Sequence, residues 1–402
     1  MKWPTVTVGE IAQQVRGVSY DKSQVSNSAA PGLRPVLRAG NIQEGSLLLD
    51  KDLVYVPDSC IAHQQLLRPG DIVIAASSGS IDVVGKAAQL SEPWEGSFGA
   101  FCKVVRPSSE RVNPRYLHHF FQSTGYRRKV SSLAAGANIN NLKNEHIDDL
   151  LLPLPPLEEQ RRIAAILDKG SSLRKLGQSN KQSLEALECK IFLDLFGDPV
   201  SNDKGWPKGC VGDLVSRFET GKSLGSGEGD ISETLRIIRV SAVSSGRFKP
   251  EESKPAPRDY SPPARHFVNQ GDLLFCRANT DALIGTVAYV EHSPFDLLLS
   301  DKVWRFCRSI SASYFPLYIK QLFSHPSVRQ EIRRRATGTS GSMLNISQSS
   351  VLEIPISLPP VDIQKRFHAI AHACLNVYSR NEKQNERLAA LASSLGQSFL
   401  GR

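Results

Sequence analysis

The chain has 402 residues, of which 40% are hydrophobic and 22% charged, so it is ordinary for a globular protein but too long for one typical core. No run of about 18 uncharged apolar residues occurs and the start, MKWPTVTVGEIAQQ, lacks the apolar centre of a signal peptide, so we expect a cytoplasmic protein without a membrane span. The net charge of +9 permits nucleic-acid binding, and the seven cysteines contain no CxxC pair, which disfavours zinc-ribbon and redox classes.

The first part of the chain mixes short β-like runs with turn residues. LVYVP, DIVIAA and FCKVV predict strands, and a helical pattern follows near residues 114–130. Pro155 and Pro156 cannot lie inside a helix, but a proline fits the first helical turn. The acidic Glu158 and Glu159 come next, where the helix dipole favours negative charge. The pattern predicts an α+β domain followed by a helix.

The same order of patterns then occurs again. WPKGCVGDLVSRF repeats WPTVTVGEIAQQV, and NQGDLLFCRANTDALIGTVAY repeats RPGDIVIAASSGSIDVVGKAA, each about 201 to 204 positions later. LRIIRV, DLLFC and TVAYV predict strands in this copy, and a helical pattern lies near residues 316–334. A nearly constant offset indicates two copies of one unit. We predict four segments: residues 1–152, 153–199, 200–356 and 357–402.

Both long helices carry apolar residues at heptad spacing, with every position matched at an offset of 204. The predicted seam consists of Ile163, Ile166, Leu173, Leu184, Leu187 and Ile191 in the first helix and Phe367, Ile370, Val377, Leu388, Leu391 and Leu395 in the second. Its middle is weaker and holds Gly170, Gly177, Asn180, Cys374, Asn381 and Gln384. We expect an antiparallel coiled coil that separates two α+β domains; the alternative is two amphipathic helices on separate cores.

Several catalytic look-alikes fail on their own residues. Gly221-Lys222-Ser223 has the tail of a P-loop, but Ser216 stands where that pattern needs glycine. SPPARH has Ala264 where amino-methyltransferases place an aromatic residue, and no GxGxxG follows a strand.

Two further clusters are no stronger. His118 and His119 lack an acidic or cysteine partner at metal-ligand spacing. The nuclease-like Glu188-Cys189-Lys190 lies on a predicted helix. The sequence therefore offers no credible active site.

Polar loops follow the Gly-Asp strands in both copies. The loop Ser77-Ser78-Gly79-Ser80 follows DIVIAA, and Arg277-Ala278-Asn279-Thr280 takes the equivalent place. Arginine and asparagine can bond guanine and adenine edges bidentately, and basic clusters on matched helices can neutralise phosphates. Any one cluster alone is also typical of a solvated face. The candidate DNA-contacting residues are Arg38, Asn41, Ser77, Ser78, Ser80, Arg127 and Arg128 in the first copy and Arg239, Arg277, Asn279, Thr280, Arg333 and Arg334 in the second.

Four motifs together resemble the specificity subunit of type I restriction-modification systems. They are PPLEEQRRI, its diverged copy PPVDIQKRF, GDLLFCRANTDALIG and GTSGSMLNIS, and the resemblance covers essentially the whole chain. The second copy departs at Ile363, where the motif has glutamate, while Gln364 is retained.

The resemblance implies a non-catalytic protein with two target-recognition domains, each reading half of a bipartite double-stranded DNA site, and two spacer helices. It also implies two methyltransferase subunits and restriction/translocase subunits as partners. Those partners would bind S-adenosylmethionine, ATP and Mg²⁺, and this chain would hold no cofactor or metal. The alternatives are a specificity subunit of a fused-type restriction enzyme that cuts both sides of its site, or a stand-alone DNA-modifying enzyme.

Overall fold

The computed structural model describes residues 3–43, 45–80, 82–108, 110–135, 141–223, 231–308, 313, 315–338 and 343–400. Residues 339–342, which are part of the motif GTSGSMLNIS, lie outside these ranges, as do residues 224–230. The chain divides into two compact units. Unit 1 comprises residues 1–178 and 382–402, and unit 2 comprises residues 179–381.

The strands and helices of unit 1 lie mostly in the first 153 residues. Its strands are β1 (Thr5–Thr7), β2 (Ala12–Arg16), β3 (Leu33–Leu37), β4 (Ile42–Gln43), β5 (Ser46–Leu47), β6 (Val54–Pro57), β7 (Ile72–Ala75), β8 (Ala87–Gln89), β9 (Ser97–Phe98), β10 (Cys102–Pro107) and β11 (Leu151–Pro153). Its helices are α1 (Pro114–Gln122), α2 (Thr124–Ala135) and α3 (Glu145–Asp148). The long helix α4 (Leu157–Phe196) begins in unit 1 and ends in unit 2.

Unit 2 repeats this order of elements. Its strands are β12 (Lys208–Cys210), β13 (Val215–Thr220), β14 (Ile231–Ile238), β15 (Ser253–Pro257), β16 (Leu273–Cys276), β17 (Ala278–Asn279), β18 (Val287–Tyr289), β19 (Leu297–Leu298), β20 (Val303–Arg308), β21 (Leu344–Asn345) and β22 (Pro355–Ser357). Its helices are α5 (Ser241–Ser244), α6 (Pro316–Ser324), α7 (Pro326–Arg335) and α8 (Gln348–Leu352). The second long helix is α9 (Val361–Leu400).

The sheets show that the repeat in the sequence is a repeat in topology. A four-stranded antiparallel sheet has the order β2-β10-β7-β8 in unit 1 and β13-β20-β16-β18 in unit 2. A three-stranded sheet with one parallel pair follows, β6-β3-β9 in one unit and β15-β14-β19 in the other. The pairs β1-β11 and β12-β22 also correspond. All six quoted strand patterns are confirmed, and so is the α+β class.

Each predicted helical stretch before the long helix is two helices. His325 is extended, with ψ 136°, because Pro326 follows it and a proline disfavours the helical conformation of the residue before it. In unit 1 the break is at Ser123, also extended, whose hydroxyl oxygen accepts a hydrogen bond from the Tyr126 amide at 3.2 Å. These local caps end the first helix and start the second.

A buried glutamine fixes the start of each long helix. Gln160 is fully buried, and its Nε2 donates to the carbonyls of Pro155 (2.8 Å) and Arg111 (3.3 Å). Its Oε1 accepts from the Asn113 amide (2.7 Å), which ties α4 to the residue that caps α1. In unit 2 the buried Gln364 donates to the Pro359 carbonyl at 2.8 Å. In both copies of the Pro-Pro motif, a buried glutamine therefore fixes the start of a long helix, and we term this contact the helix-start lock.

The two long helices pack antiparallel within each unit. In unit 1, Gly177 lies against Asn385 and Gly170 faces Ala392, so positions rise on one helix as they fall on the other. In unit 2 the Tyr378 hydroxyl donates to Glu185 at 3.1 Å, and the rings of Phe192 and Phe367 are 5.4 Å apart. The predicted antiparallel pair is confirmed.

The predicted seam is wrong at four of its twelve apolar positions. Ile166, Leu187, Val377 and Leu391 are between 37% and 56% exposed. The buried and half-buried positions follow a four-three spacing instead, and they include Leu167, Lys181, Leu195, Ala371, Tyr378 and Asn385. Spacings of three and of four residues both lie near the helical period of 3.6 residues. The apolar residues at these positions therefore favoured a residue next to the one that is actually buried. The other eight apolar residues of the predicted seam are buried or half-buried, whereas Asn180 and Gln384 in its polar middle are exposed.

The seven cysteines carry free thiols, and Cys102 and Cys276 are buried. Burial raises the pKa of the Cys102 thiol to about 12, so the thiol stays protonated and packs as a small apolar group. Within the described parts of the chain, no helix is both long and apolar enough to cross a bilayer.

Replacing Gln160 with alanine tests the lock. The change leaves the amide of the half-buried Asn113 and the carbonyl of the buried Pro155 without this partner, so we expect a loss of about 1–3 kcal/mol in the free energy of unfolding. Thermal unfolding of the purified chain measures it. Gln182→Ala, at an exposed position of the same helix, is the control and should change stability by less than about 0.5 kcal/mol. Equal melting temperatures for both variants would contradict the lock.

Candidate nucleic-acid interface

Two of the predicted loops of unit 1 meet at one concave surface, which we term the unit 1 groove. It is a cavity of about 520 Å³. Its lining residues are Arg38, Ala39, Gly40, Asn41, Asp52, Ser77, Ser78, Gly79 and Phe101. The structure therefore brings together candidate residues that are about 40 positions apart in the sequence.

Backbone hydrogen bonds hold the groove in shape. The amides of Ala76 and Ser77 both donate to the Phe101 carbonyl, at 2.9 and 3.0 Å. The exposed Arg38 donates through Nη2 to the carbonyl of Asp52 at 2.9 Å. Asp52 has a positive φ of 55°, which is strained for a residue other than glycine. The guanidinium is thus held at the groove by one bond.

Asn41 has a structural role that the sequence did not reveal. Its side chain is 1% exposed, its Oδ1 accepts from the Arg38 amide (2.9 Å), and its Nδ2 donates to the carbonyls of Leu48 (3.2 Å) and Lys51 (2.7 Å). The amide is therefore fully used inside the unit, and Asn41 is corrected from a base-reading candidate to a turn-forming residue. Ser80 is exposed and lies outside the lining of the groove, while its amide donates to the Ser78 hydroxyl (3.2 Å).

Unit 2 builds its loop on the same scaffold, one residue out of the predicted register. The Arg277 amide donates to the Lys302 carbonyl at 3.1 Å, as the Ala76 amide does to Phe101. The Arg277 carbonyl accepts from Ile346, as that of Ala76 does from Leu142. Arg277 therefore corresponds to Ala76, as the alignment of Gly271-Asp272 with Gly70-Asp71 predicts, whereas the pairing of the two loops had placed Arg277 opposite Ser77. The unit 1 loop is one residue longer after this point.

The side chain of Arg277 is half-buried and oriented by two contacts. Its Nε donates to the Asp301 carbonyl at 2.9 Å, and its guanidinium carbon is 5.7 Å from the centre of the Trp304 ring. A cation at that distance from an indole ring is attracted by the ring. Among the described residues, the guanidinium of Arg277 donates its hydrogen bond through Nε. The fork of Nη atoms is the part that can meet a base edge.

The neighbours of Arg277 differ in availability. Asn279 donates through Nδ2 to the Ser244 hydroxyl (2.9 Å), and its Oδ1 accepts from the Thr280 amide (2.8 Å), so its amide is engaged inside the unit. Thr280 and Arg239 are exposed. Base reading by Asn279 would require these bonds to be exchanged, whereas Thr280 and Arg239 need no such exchange.

The helix arginines divide into loop supports and exposed cations. Arg127 donates to the Val84 carbonyl (3.0 Å), and Arg329, which the sequence analysis missed, donates to the Ala282 carbonyl (2.8 Å) at the matched place. Arg333 donates to the Asp281 carbonyl (3.1 Å). Burial, with nearby Arg333, lowers the pKa of Arg329. The offset of 202 between the matched helices points to Arg329, whereas the Arg-rich run drew attention to Arg333.

Arg128 and Arg334 remain candidates for phosphate contacts. Arg128 is exposed, and Arg334 is largely exposed although it pairs with Glu331 at 2.7 Å. Glu331 is buried but also pairs with Arg335, so it keeps a partner when Arg334 turns to a phosphate. Neither residue lines the unit 1 groove.

A buried ion pair supports the strand before each of these loops, and it explains the repeated Gly-Asp. Asp71 accepts from Nε and Nη2 of Arg106, both at 2.8 Å, while Asp272 accepts from Arg305 at 3.0 Å. Both arginines also donate to backbone carbonyls, including those of Leu66 and Phe267. Removing one partner of such a pair would leave an uncompensated buried charge. The base of each loop strand is therefore fixed.

A second cavity of about 880 Å³ lies in unit 1 and holds the histidines that the sequence singled out. His119 Nε2 is 2.8 Å from Asp168, which also pairs with Arg115. Burial would raise the pKa of Asp168, but hydrogen bonds from Arg115 and His119 outweigh it and keep that pKa below its usual value. Among the described residues, no cluster of three side chains has the composition of a metal site.

His118 is buried in the wall of this cavity, and among the described residues its Nδ1 has no hydrogen-bond partner. Burial first, and then the nearby cation Arg115, lower the pKa of His118 to about 3. The imidazole is therefore neutral at physiological pH. The counterparts of His118 and His119 on α6 are Lys320 and Gln321, so this cluster belongs to unit 1 alone.

Comparison with known proteins gives a consistent set of relatives. The family model for the Type I restriction modification DNA specificity domain matches residues 1–186. The type I restriction enzyme EcoKI specificity subunit of Escherichia coli (strain K12) is 32% identical over 416 residues, covering 100% of this chain and 88% of that protein. The StySPI specificity subunit of Salmonella potsdam is 29% identical, with the same two coverages.

Solved structures agree on the fold. The S subunit of a type I restriction-modification system from M. genitalium has a TM-score of 0.63 at 12% identity, covering 100% of this chain and 97% of that one. A chain from a type I R-M complex has a TM-score of 0.52 at 16% identity, with coverages of 99% and 97%.

Lowering the pH should destabilise the chain through His118. Between about pH 6.5 and pH 3, His118 binds a proton in the unfolded state but stays neutral in the folded state. The free energy of unfolding therefore falls as the pH falls through that window, by up to about a few kcal/mol. Thermal unfolding between pH 7.5 and 4.5 measures the slope. His118→Phe should reduce this slope, and His63→Phe, at an exposed position, should leave it unchanged. An unaltered slope in His118→Phe would contradict the burial argument.

Proposed function

This chain belongs to the family of type I restriction-modification specificity subunits, and from that premise we propose that each of its units reads one half of a bipartite DNA site. The family's role is DNA recognition, and the chain is the non-catalytic subunit. S-adenosylmethionine, ATP and Mg²⁺ are bound by partner subunits, where the chemistry takes place.

One observation carries the proposal of two half-sites. Equivalent backbone hydrogen bonds support the loop after β7 and the loop after β16. The Ala76 amide donates to the Phe101 carbonyl, and the Arg277 amide donates to the Lys302 carbonyl. The side chains that these equal frames present are different. Two loops that read different base sequences need the same backbone support and different side chains. The backbone scaffold sets the position of each loop on the DNA, and the side chains that meet the base edges set its selectivity.

The candidate residues then take distinct roles. Arg277 and Arg38 carry guanidinium groups that are each recorded with one side-chain hydrogen bond inside the unit, and both lie at the loops. They fit bidentate contacts to guanine. Ser77, Ser78 and Thr280 supply hydroxyls that accept or donate. Arg128 and Arg334, on the helices beside the loops, suit phosphate contacts that fix register without reading sequence.

We assign the helix pair to spacing and assembly. The complex would contain two methyltransferase subunits, one for each repeat, together with restriction/translocase subunits, and it would act in the cytoplasm on double-stranded DNA. The exposed apolar residues Ile166, Leu187, Val377 and Leu391 lie on the helices, outside the helix contact. Their exposure supports our assignment of these residues to a contact with partner helices. A fused-type restriction enzyme would use the same specificity chain with a different partner.

Arg277→Ala tests the function of the unit 2 loop. We expect the purified complex, or the host that carries it, to relax at one base pair in one half-site, because a lost bidentate contact costs about 1–3 kcal/mol, or roughly five- to 150-fold in discrimination. Sequencing of methylated positions across the host genome measures this. The wild-type chain should give a single bipartite motif, and deletion of the chain should abolish it.

The controls separate base reading from charge. Lys249→Ala removes an exposed cation of unit 2 away from the loop and should leave the motif intact. Equal weakening of Arg277→Ala on every DNA sequence would assign Arg277 to a phosphate. A wild-type complex without any bipartite methylation motif would refute the proposed function.

A further inference from the structure

Phe101 presents an apolar ring to solvent in the lining of the unit 1 groove. It is 68% exposed, although it follows a turn whose flanking residues Gly99 and Cys102 are part of the folded core. Single exposed apolar residues are common on protein surfaces and need no explanation. This one lines the same cavity as Arg38, Ser77 and Ser78, which makes its exposure informative.

The backbone under Phe101 is rigid. Its carbonyl accepts hydrogen bonds from Ala76 and Ser77, and the adjacent amides of Gly99 and Cys102 donate to Leu37 and Gly99, all at 2.8–3.0 Å. The backbone of Phe101, from which the ring projects, is therefore fixed relative to the polar loop. An aromatic ring that lines one cavity with an arginine and two hydroxyls offers a ligand both apolar and polar contacts.

The second copy shows that the fold does not require the ring. Lys302 is the counterpart of Phe101, since the two carbonyls accept the matched bonds from Arg277 and Ala76. A lysine at that place supports the same sheet register, β16 with β20, as β7 with β10. The aromatic side chain is thus a feature of what unit 1 binds.

We propose that Phe101 is a specificity-determining residue that makes an apolar contact with the C5-methyl group of a thymine in the half-site read by unit 1. The inference rests on the proposed function. In the major groove the thymine methyl is the one apolar mark among hydrogen-bonding atoms, and apolar side chains recognise it. Lys302, at the same position of unit 2, would contact a phosphate, so the two units differ in base reading at this point.

The test uses the complete complex of the chain with its methyltransferase subunits. Once the wild-type motif is known from the methylated host genome, each thymine of the unit 1 half-site is replaced by deoxyuridine, which lacks only the methyl group. Initial rates of methyl transfer are compared for wild type, Phe101→Ala and Phe101→Leu. Leu151→Ala, which removes another largely exposed apolar side chain of unit 1, is the control.

We expect one deoxyuridine position to slow the wild-type complex about fivefold or more and to have no effect on Phe101→Ala. Phe101→Leu should keep most of the discrimination, and Leu151→Ala all of it. Equal sensitivity of wild type and Phe101→Ala at every thymine would overturn the inference. So would a Phe101→Ala chain that fails to assemble with the methyltransferase while Phe101→Leu assembles, because that would make Phe101 a protein contact.

The outcomes are distinct from a failure of the proposed function. A wild-type complex with a bipartite motif and no deoxyuridine effect refutes only the role of Phe101. A wild-type complex without a bipartite motif refutes the function itself.

Discussion

The buried amide of Gln160 is the contact on which the arrangement of unit 1 depends. It joins the carbonyl before the first turn of α4 to the amide of Asn113, the residue that caps α1. Helix and sheet domain are thereby fixed to each other at one point. Unit 2 keeps the glutamine bond to Pro359 and adds a different link, from the Leu317 amide to Nδ1 of His368 at 3.4 Å. The departure at Ile363 therefore leaves the lock in place.

Under the proposed function, duplication explains how one chain holds two readers. The parts that set geometry are the same in both units: the strand order, the Gly-Asp turn, and the arginine pairs Arg106–Asp71 and Arg305–Asp272. The parts that face outward differ, as Phe101 and Lys302 do. Changes at such exposed positions leave the buried pairs intact, so the bases that are read can diverge without loss of the fold.

Sequence reasoning was most successful where periodicity and local caps decide the structure. The strands, the helix starts after the prolines and the antiparallel pair could all be predicted. The seam could not be placed, because steps of three and four residues fit one helical period equally well. Asn41 and Arg127 were misjudged for another reason: whether a polar side chain faces bases or a backbone carbonyl depends on contacts between distant segments. The cavity at His118 arises in the same way, since Asp168 comes from another helix.

The claim that each unit reads its half-site independently is tested most directly by an exchange of residues 1–152. Replacing them with the corresponding segment of another specificity subunit, and sequencing the methylated positions of the host genome, compares the two motifs. The account predicts a new first half joined to the unchanged second half. A motif altered in both halves, from a complex that still assembles and methylates DNA, would contradict it.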